Sequence, residues 1–230
     1  MKVSNIAIIT ARKGSERIKN KNLKLFFGKP IIYFSIRALQ KSKIFDQIYL
    51  STNCEKTIKV SKQYGIKDII KRNNYLSSNK IGTITVINHA LKKLKKRKIS
   101  PKFVCCIYPA APLTKYENIK FSYLKLKKNK KMDFIYPSTI LKNNYHKNFN
   151  KSKLIRIKKI NKKEGIINKI YLDSGQFWYA RSKTWGKSKT IYNKNSFTFS
   201  IKEKFSDINT MNDWNKVKKI FSKIKNKIVK

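Results

Sequence analysis

Apolar positions along the chain fall into two alternating textures: short runs bounded by turn residues, and longer segments in which they recur every three or four places. The first texture predicts strands and the second predicts helices packed on one face. NIAII (5–9) opens as a strand. PIIYFSIRALQKS (30–42) follows as a helix begun at Pro30, with Ile32, Ile36 and Leu39 on one face. DQIYLS (46–51) is a second strand, CEKTIKVSKQYG (54–65) a helix stopped by Gly65, and IKDII (66–70) a third strand. Ile84, Ile87, Leu91 and Leu94 give a helix over 83–96, and FVCCIYP (103–109) is a continuous apolar run suited to a buried parallel strand. A helix near 116–128 and the strand MDFIYPS (132–138) continue the alternation. An α/β layered fold follows.

The texture changes at residues 142–170, which are polar and basic with a short alternation at Leu154, Ile155, Ile157 and Ile160. This segment is expected to protrude as a hairpin or small lobe from a single domain spanning 1–230. SGQFWYA (174–180) and SFTFSI (196–201) are expected to return as strands. In the last helix Trp214, Val217, Phe221, Ile224 and Ile228 step by three and four, placing one apolar stripe on the core and Lys residues on the solvated face.

Length and composition narrow the function classes. A chain of 230 residues buries a sizeable core in one domain. No run approaches the roughly 18 to 20 apolar residues of a membrane span, and the apolar start is too short for a signal peptide, so a cytoplasmic protein is expected. Cys54, Cys105 and Cys106 match neither a disulfide framework nor a CxxC metal site, since neighbours on a strand point to opposite faces. His89 and His146 sit in no catalytic signature. The 56 Lys and Arg against 11 Asp and Glu give a formal charge of +45. Such charge suits a polyanion partner, but only seven of the basic residues are Arg, and the chain is rich in Ile and Asn as well as Lys. That trio fits a compositional bias spread over solvated faces, and no helix-turn-helix, zinc or RNA-recognition signature supports nucleic acid as the partner.

The stretch ARKGSERIKNKN (11–22) carries the first candidate chemistry. A strand ending at Ile9 leads into a polar loop with Gly14 and Ser15, flanked by Arg12, Arg17 and Lys21. Ligands of open α/β sheets lie beyond the carboxyl ends of the strands, and N–H groups of a Gly-bearing turn cradle anionic oxygens. The loop lacks GxxxxGK[ST] and GxGxxG, so on its residues alone it is either a phosphate loop or a solvated turn.

Several motifs in order resolve the choice by resemblance. IAIITARKGSERIKNKNLK resembles the N-terminal signature IPARGGSKRIPxKNIK of the acylneuraminate cytidylyltransferases, and FFGKPIIYFSIRALQKSKIFDQIYLSTN continues it. GTITVINHAL (82–91), CCIYPAAPL (105–113), DSGQFW (173–178) and SDINTMNDW (206–214) extend the resemblance from Ile6 to Trp214. CCIYPAAP and DSGQFW look more like the pseudaminic acid branch (CCIYPTAP, DAGQFY) than like sialic acid enzymes.

The resemblance implies a Rossmann-like nucleotidyltransferase fold with a central mixed, mostly parallel sheet, usually a homodimer. It also implies a reaction in which the anomeric hydroxyl of a nonulosonic acid attacks the α-phosphorus of CTP, with magnesium as cofactor. Pseudaminic acid is the expected sugar; sialic and legionaminic acids, or a non-catalytic nucleotide-binding or nucleic-acid-binding relative, are the alternatives. Arg12 and Lys21 match catalytic positions at the triphosphate. Ala11, Gly14, Ser15, Asn22, Arg72 and Thr83 match nucleotide-binding positions, and Tyr108 and Gln176 face the expected sugar site. Asp207 and Asn209 occupy the metal positions.

The pattern also breaks. DIDTPEDW of the family reads DINTMNDW here, so the second acid of the metal pair is Asn209. STD ends in Asn53, Lys13 replaces the first loop glycine, and Ala110 stands for the Thr of PTAP.

Overall fold

The computed structural model describes residues 3–141, 154–162, 165–202 and 207–229. Strand β1 (Asn5–Ala11) runs at the centre and a two-stranded hairpin, β2 (Leu25–Phe26) and β3 (Lys29–Pro30), follows its loop. Then come α1 (Ile32–Ser42), β4 (Gln47–Thr52), α2 (Glu55–Gln63), β5 (Asp68–Lys71), α3 (Thr83–Lys96), β6 (Phe103–Ile107) and α4 (Tyr116–Lys128). The second half holds β7 (Phe134–Leu141), β8 (Leu154–Lys162), β9 (Gly165–Asp173), β10 (Phe177–Arg181), α5 (Ser182–Lys187), β11 (Phe197–Ser200) and α6 (Met211–Val229).

One mixed sheet has the order β5-β4-β1-β6-β10-β7-β9-β8, with β11 also paired to β7. β5, β4, β1 and β6 are parallel. β10 enters antiparallel between β6 and β7, and β9 and β8 close the far edge antiparallel. From β1 the chain passes first to β4 on one side and later to β6 on the other. The sheet order therefore reverses between β1 and β6, which opens a crevice at their carboxyl ends.

Strand alternation explains both cores. Ala7, Ile9 and Ala11 of β1 join Leu50, Cys105 and Ile107 under Ile32, Ile36 and Leu39 of α1, Ile58 of α2 and Ile119 of α4. Ile6 and Ile8 face the other way and meet Val104, Cys106, Ile87 and Leu94 of α3, and Trp185 of α5. Cys105 and Cys106 thus enter opposite cores as free buried thiols, as their adjacency on a strand requires.

A third cluster fastens α6 to the loop after β1. Trp214, Val217 and Phe221 of α6 bury against Ile18, Phe26, Ile31, Phe34 and Ile208. Phe26 is edge-on to Phe34, Trp214 and Phe221 at 5.1–5.4 Å between centroids. A Thr210–Asp213 capping box starts the helix: the Thr210 N–H donates to Asp213 Oδ2 (2.7 Å) and the Asp213 N–H to Thr210 Oγ1 (3.2 Å).

Three expectations need correction. Pro30 does not open α1; it pairs with Leu25 across the β2–β3 hairpin, and the helix begins after Ile31. The strand expected over 174–180 starts only at Phe177, because Gly175 takes φ +65 and turns the chain while its N–H donates to Asp173 Oδ1 (2.9 Å). The strand expected over 132–138 begins at Phe134 and runs to Leu141. Residues 142–153 and 163–164 of the segment expected to protrude, His146 among them, lie outside the described residues.

Candidate active site

Two adjoining cavities open at the carboxyl ends of β1 and β6, and both are lined by Arg17, Lys21, Tyr108, Pro109 and Asn209. The first, about 470 Å³, takes its walls from the loop after β1 (Arg12, Ser15, Lys21, Asn22), from Arg72 just past β5 and from Thr83 at the start of α3. The second, about 890 Å³, lies toward β9 and β10 and is lined by Thr139, Leu172, Asp173, Trp178, Tyr192 and Asp207 among others.

The loop is held by its own polar groups. Asn22 Nδ2 donates to the Arg12 carbonyl (3.1 Å), and the Lys13 N–H donates to Asn53 Oδ1 (2.8 Å) at the end of β4. Gly14 takes φ +84, a left-handed turn that favours glycine. Lys21 Nζ donates to the Ile208 carbonyl (2.7 Å), and burial lowers its pKa; Asp207 opposes that shift, while Arg17 and Arg12 add to it.

Arg72 is the most telling side chain. It is buried, yet its Nε and Nη2 meet no acceptor among the described residues. Its pKa falls to about 10, chiefly through burial, with Arg12 contributing. A buried cation with orphan donors costs stability unless a ligand supplies the acceptor. Across the cavity Thr83 Oγ1 and Tyr108 Oη share a hydrogen bond (3.3 Å), and burial pushes the Tyr108 phenol well up, keeping it a neutral donor.

In the second cavity Asp173 accepts three hydrogen bonds, from the Gly175 N–H, Trp178 Nε1 (2.5 Å) and Tyr192 Oη (3.0 Å). Burial nonetheless raises its pKa to about 6 against the lowering effect of these donors. The carboxylate fixes two aromatic walls, and Trp178 in turn lies edge-on to Tyr108 at 5.3 Å. A Cβ at Gly175 would come within 2.9 Å of the Asp207 carboxyl group, so only glycine lets these two segments meet.

Of the residues singled out by sequence, Arg12, Ser15, Lys21, Asn22, Arg72, Thr83, Tyr108 and Asn209 line the first cavity, and Asp207 the second. Ala11 and Gly14 shape the loop without lining either. Gln176 is fully buried and lines neither cavity; its backbone carbonyl accepts from the Tyr108 N–H (3.0 Å), while its side-chain amide finds no partner among the described residues. His89 also stays outside both. Arg17, read from the sequence only as a charge of the candidate phosphate loop, lines both cavities, and Asp173, Trp178 and Tyr192 enter the site without having been assigned a role there. Asp173 heads the DSGQFW motif, a signal that was present; Tyr192 lies in a stretch with no motif and arrives only through the fold.

The expected magnesium centre does not fit the residues as arranged. Asn209 Oδ1 accepts from Arg17 Nη2 (2.9 Å) and its Nδ2 donates to Asp207 Oδ2 (2.6 Å), so the amide oxygen is engaged by a cation of the protein itself. Among the described residues no group of three His, Cys, Asp or Glu side chains gathers around a metal-sized point. Nor is any described helix long and apolar enough to cross a membrane.

Known proteins resemble this chain in sequence and in fold. The cytidylyltransferase family profile matches residues 6–226. The chain is 32% identical over 218 residues to a pseudaminic acid cytidylyltransferase of Campylobacter jejuni, covering 92% of this chain and 93% of that protein. It is 27% identical over 219 residues to a CMP-N,N'-diacetyllegionaminic acid synthase of Legionella pneumophila, covering 91% and 92%. Among solved structures, a CMP:2-keto-3-deoxy-manno-octonic acid synthetase complexed with CTP superposes with a TM-score of 0.67 at 12% identity, covering 96% of this chain and 99% of that one, a likeness of fold.

Proposed function

The chain belongs to the cytidylyltransferase family, and from that premise we propose that this CTP-dependent enzyme transfers CMP to a nonulosonic acid, with pseudaminic acid as the preferred sugar. In the reaction the anomeric hydroxyl gives up its proton to solvent as its oxygen bonds to the α-phosphorus of CTP, the bond from that phosphorus to the α–β bridging oxygen breaks, and pyrophosphate leaves with the negative charge. Catalysis of such a step is mostly positioning and charge stabilisation.

The observation that carries the reading is the pair of cavities meeting at Lys21, Arg17 and Tyr108, one lined by cations and the other by aromatic rings. CTP occupies the first. Arg12 holds phosphate oxygens with its planar fork, Lys21 adds a point charge beside them, and the orphan donors of Arg72 meet the acceptor edge of cytosine. Asn22, Ser15 and Thr83 complete the nucleotide contacts. The sugar acid enters the second cavity with its carboxylate toward Arg17 and Lys21. Trp178, Tyr192 and Leu172 offer apolar surface to acylamino and methyl substituents, which supports a deoxygenated sugar over one with a hydroxylated side chain. Tyr108, between the cavities, positions the two substrates. The homodimer usual for the family belongs to the same reading.

Pyrophosphate release from CTP with a divalent cation, measured against pseudaminic, legionaminic and sialic acids, tests it. Turnover highest with pseudaminic acid is expected. Turnover with another sugar acid alone reassigns the substrate, and none with any sugar acid removes the enzymatic reading.

A further inference from the structure

Two cations of the loop after β1 grip the segment that precedes α6. Lys21 Nζ donates to the Ile208 carbonyl and Arg17 Nη2 to Asn209 Oδ1. Neighbouring chemistry fixes the direction of the Asn209 amide. A guanidinium only donates, so the atom facing Arg17 must be the oxygen. The Asp207 carboxylate accepts, so the other end must be the NH₂. Turning the amide over would set donor against donor and acceptor against acceptor. The position is held further by the Asn209 N–H, which donates to Asp213 Oδ2 at 3.0 Å.

We infer that Asn209 links Arg17 to Asp207 in a hydrogen-bonded chain that stands in for the cation a carboxylate pair would require, so that the nucleotide-free protein binds divalent metal weakly. With an acid at position 209, two adjacent carboxylates would repel and draw in a hard cation whose charge relieves them. With Asn209 the repulsion is gone, and its oxygen already faces the Arg17 guanidinium, whose positive charge opposes a metal ion there. The site also carries one negative charge fewer beside Arg12, Arg17 and Lys21, which disfavours a free divalent ion and favours phosphate. The inference rests on the cytidylyltransferase reading for what a metal would do there, but not for whether the free protein binds one.

The test is therefore made without turnover. Manganese is titrated into the full-length protein in the absence of nucleotide and free Mn²⁺ is followed by electron paramagnetic resonance, for wild type and Asn209→Asp. The variant is expected to hold one Mn²⁺ per chain at least about tenfold more tightly than wild type, the size of effect that altered metal-site partners produce. A smaller gap overturns the inference. Should thermal melting show that the variant does not fold, wild type decides alone: stoichiometric Mn²⁺ binding at about 10 µM overturns it, and its failure to bind there upholds it. Absence of turnover with every sugar acid would sink the enzymatic reading while leaving this result legible.

Discussion

At the scale of single residues, the site is built from groups that the free protein satisfies incompletely. Arg72 places a guanidinium under a cavity with two donors unpaired, so its removal should separate stability from function. Arg72→Met keeps the length and discards the charge. Thermal melting of the free variant should rise by a few degrees, because an uncompensated buried cation is gone. KM for CTP should rise about tenfold or more, since hydrogen bonds to charged groups contribute roughly 1.5–3 kcal/mol. A drop in both stability and affinity would make Arg72 a structural residue. Asp173 gives a second test with a definite sign. Its folded pKa, about 6, lies above the ordinary 3.8, so between these values the folded state binds more protons than the unfolded one. Stability from this group is thus greatest in acid and declines as pH rises from about 4 to 6, by up to about 3 kcal/mol. Asp173→Asn abolishes that pH dependence. Urea unfolding at pH about 4.5 and 7.5 should show wild type losing stability relative to the variant at the higher pH.

At the scale of elements, what the sequence made legible follows from where burial enforces a pattern. β1, β4 and β6 were readable because a strand covered on both faces needs an unbroken apolar run, and α6 because its stripe docks on a ready-made aromatic cluster. Pro30 misled because proline suits a hairpin edge as well as a helix start, and local sequence does not tell which side of Ile31 the helix lies on. The site was legible wherever one loop or motif carries it, as with Arg12, Lys21 and Arg72. It was not where partners come from distant segments: Tyr192 meets Asp173, and Arg17 meets Asn209, only after β10 and α6 are in place. Gln176 shows the converse, a polar residue in a sugar-site motif that the turn at Gly175 leaves buried behind the cavity rather than in it. The α6 contact also yields a prediction. Phe221→Ala empties the centre of the cluster formed by Phe26, Phe34 and Val217. It should cost about 3–5 kcal/mol in urea unfolding. Because α6 anchors Ile208 and Asn209 against the loop, KM for CTP should rise in the still-folded fraction. Unchanged KM would mean that the loop holds its shape without the helix.

At the scale of the whole molecule, charge and site act in opposite directions. Eleven acidic residues cannot neutralise 56 basic ones, and the ion pair of Lys71 with Glu55 (2.7 Å) is exposed on both sides, where such pairs contribute little. The folded state therefore carries a self-repulsion that salt relieves, since the screening length shortens from about 30 Å at 0.01 M to about 8 Å at 0.15 M. The same field draws CTP toward the cationic cavity, and salt weakens that attraction. Raising monovalent salt over this range should thus increase the melting temperature while raising KM for CTP. Binding of a random RNA or DNA strand should weaken steeply over the same titration, as expected when many scattered lysines meet phosphates without a dedicated surface. CTP should lose far less, because Arg72 lies buried beneath the cavity and is shielded from the added ions. Nucleic-acid affinity that persists at 0.2 M salt while CTP binding vanishes would reverse the order of the two ligands, and with it the reading of the cationic cavity as a nucleotide site.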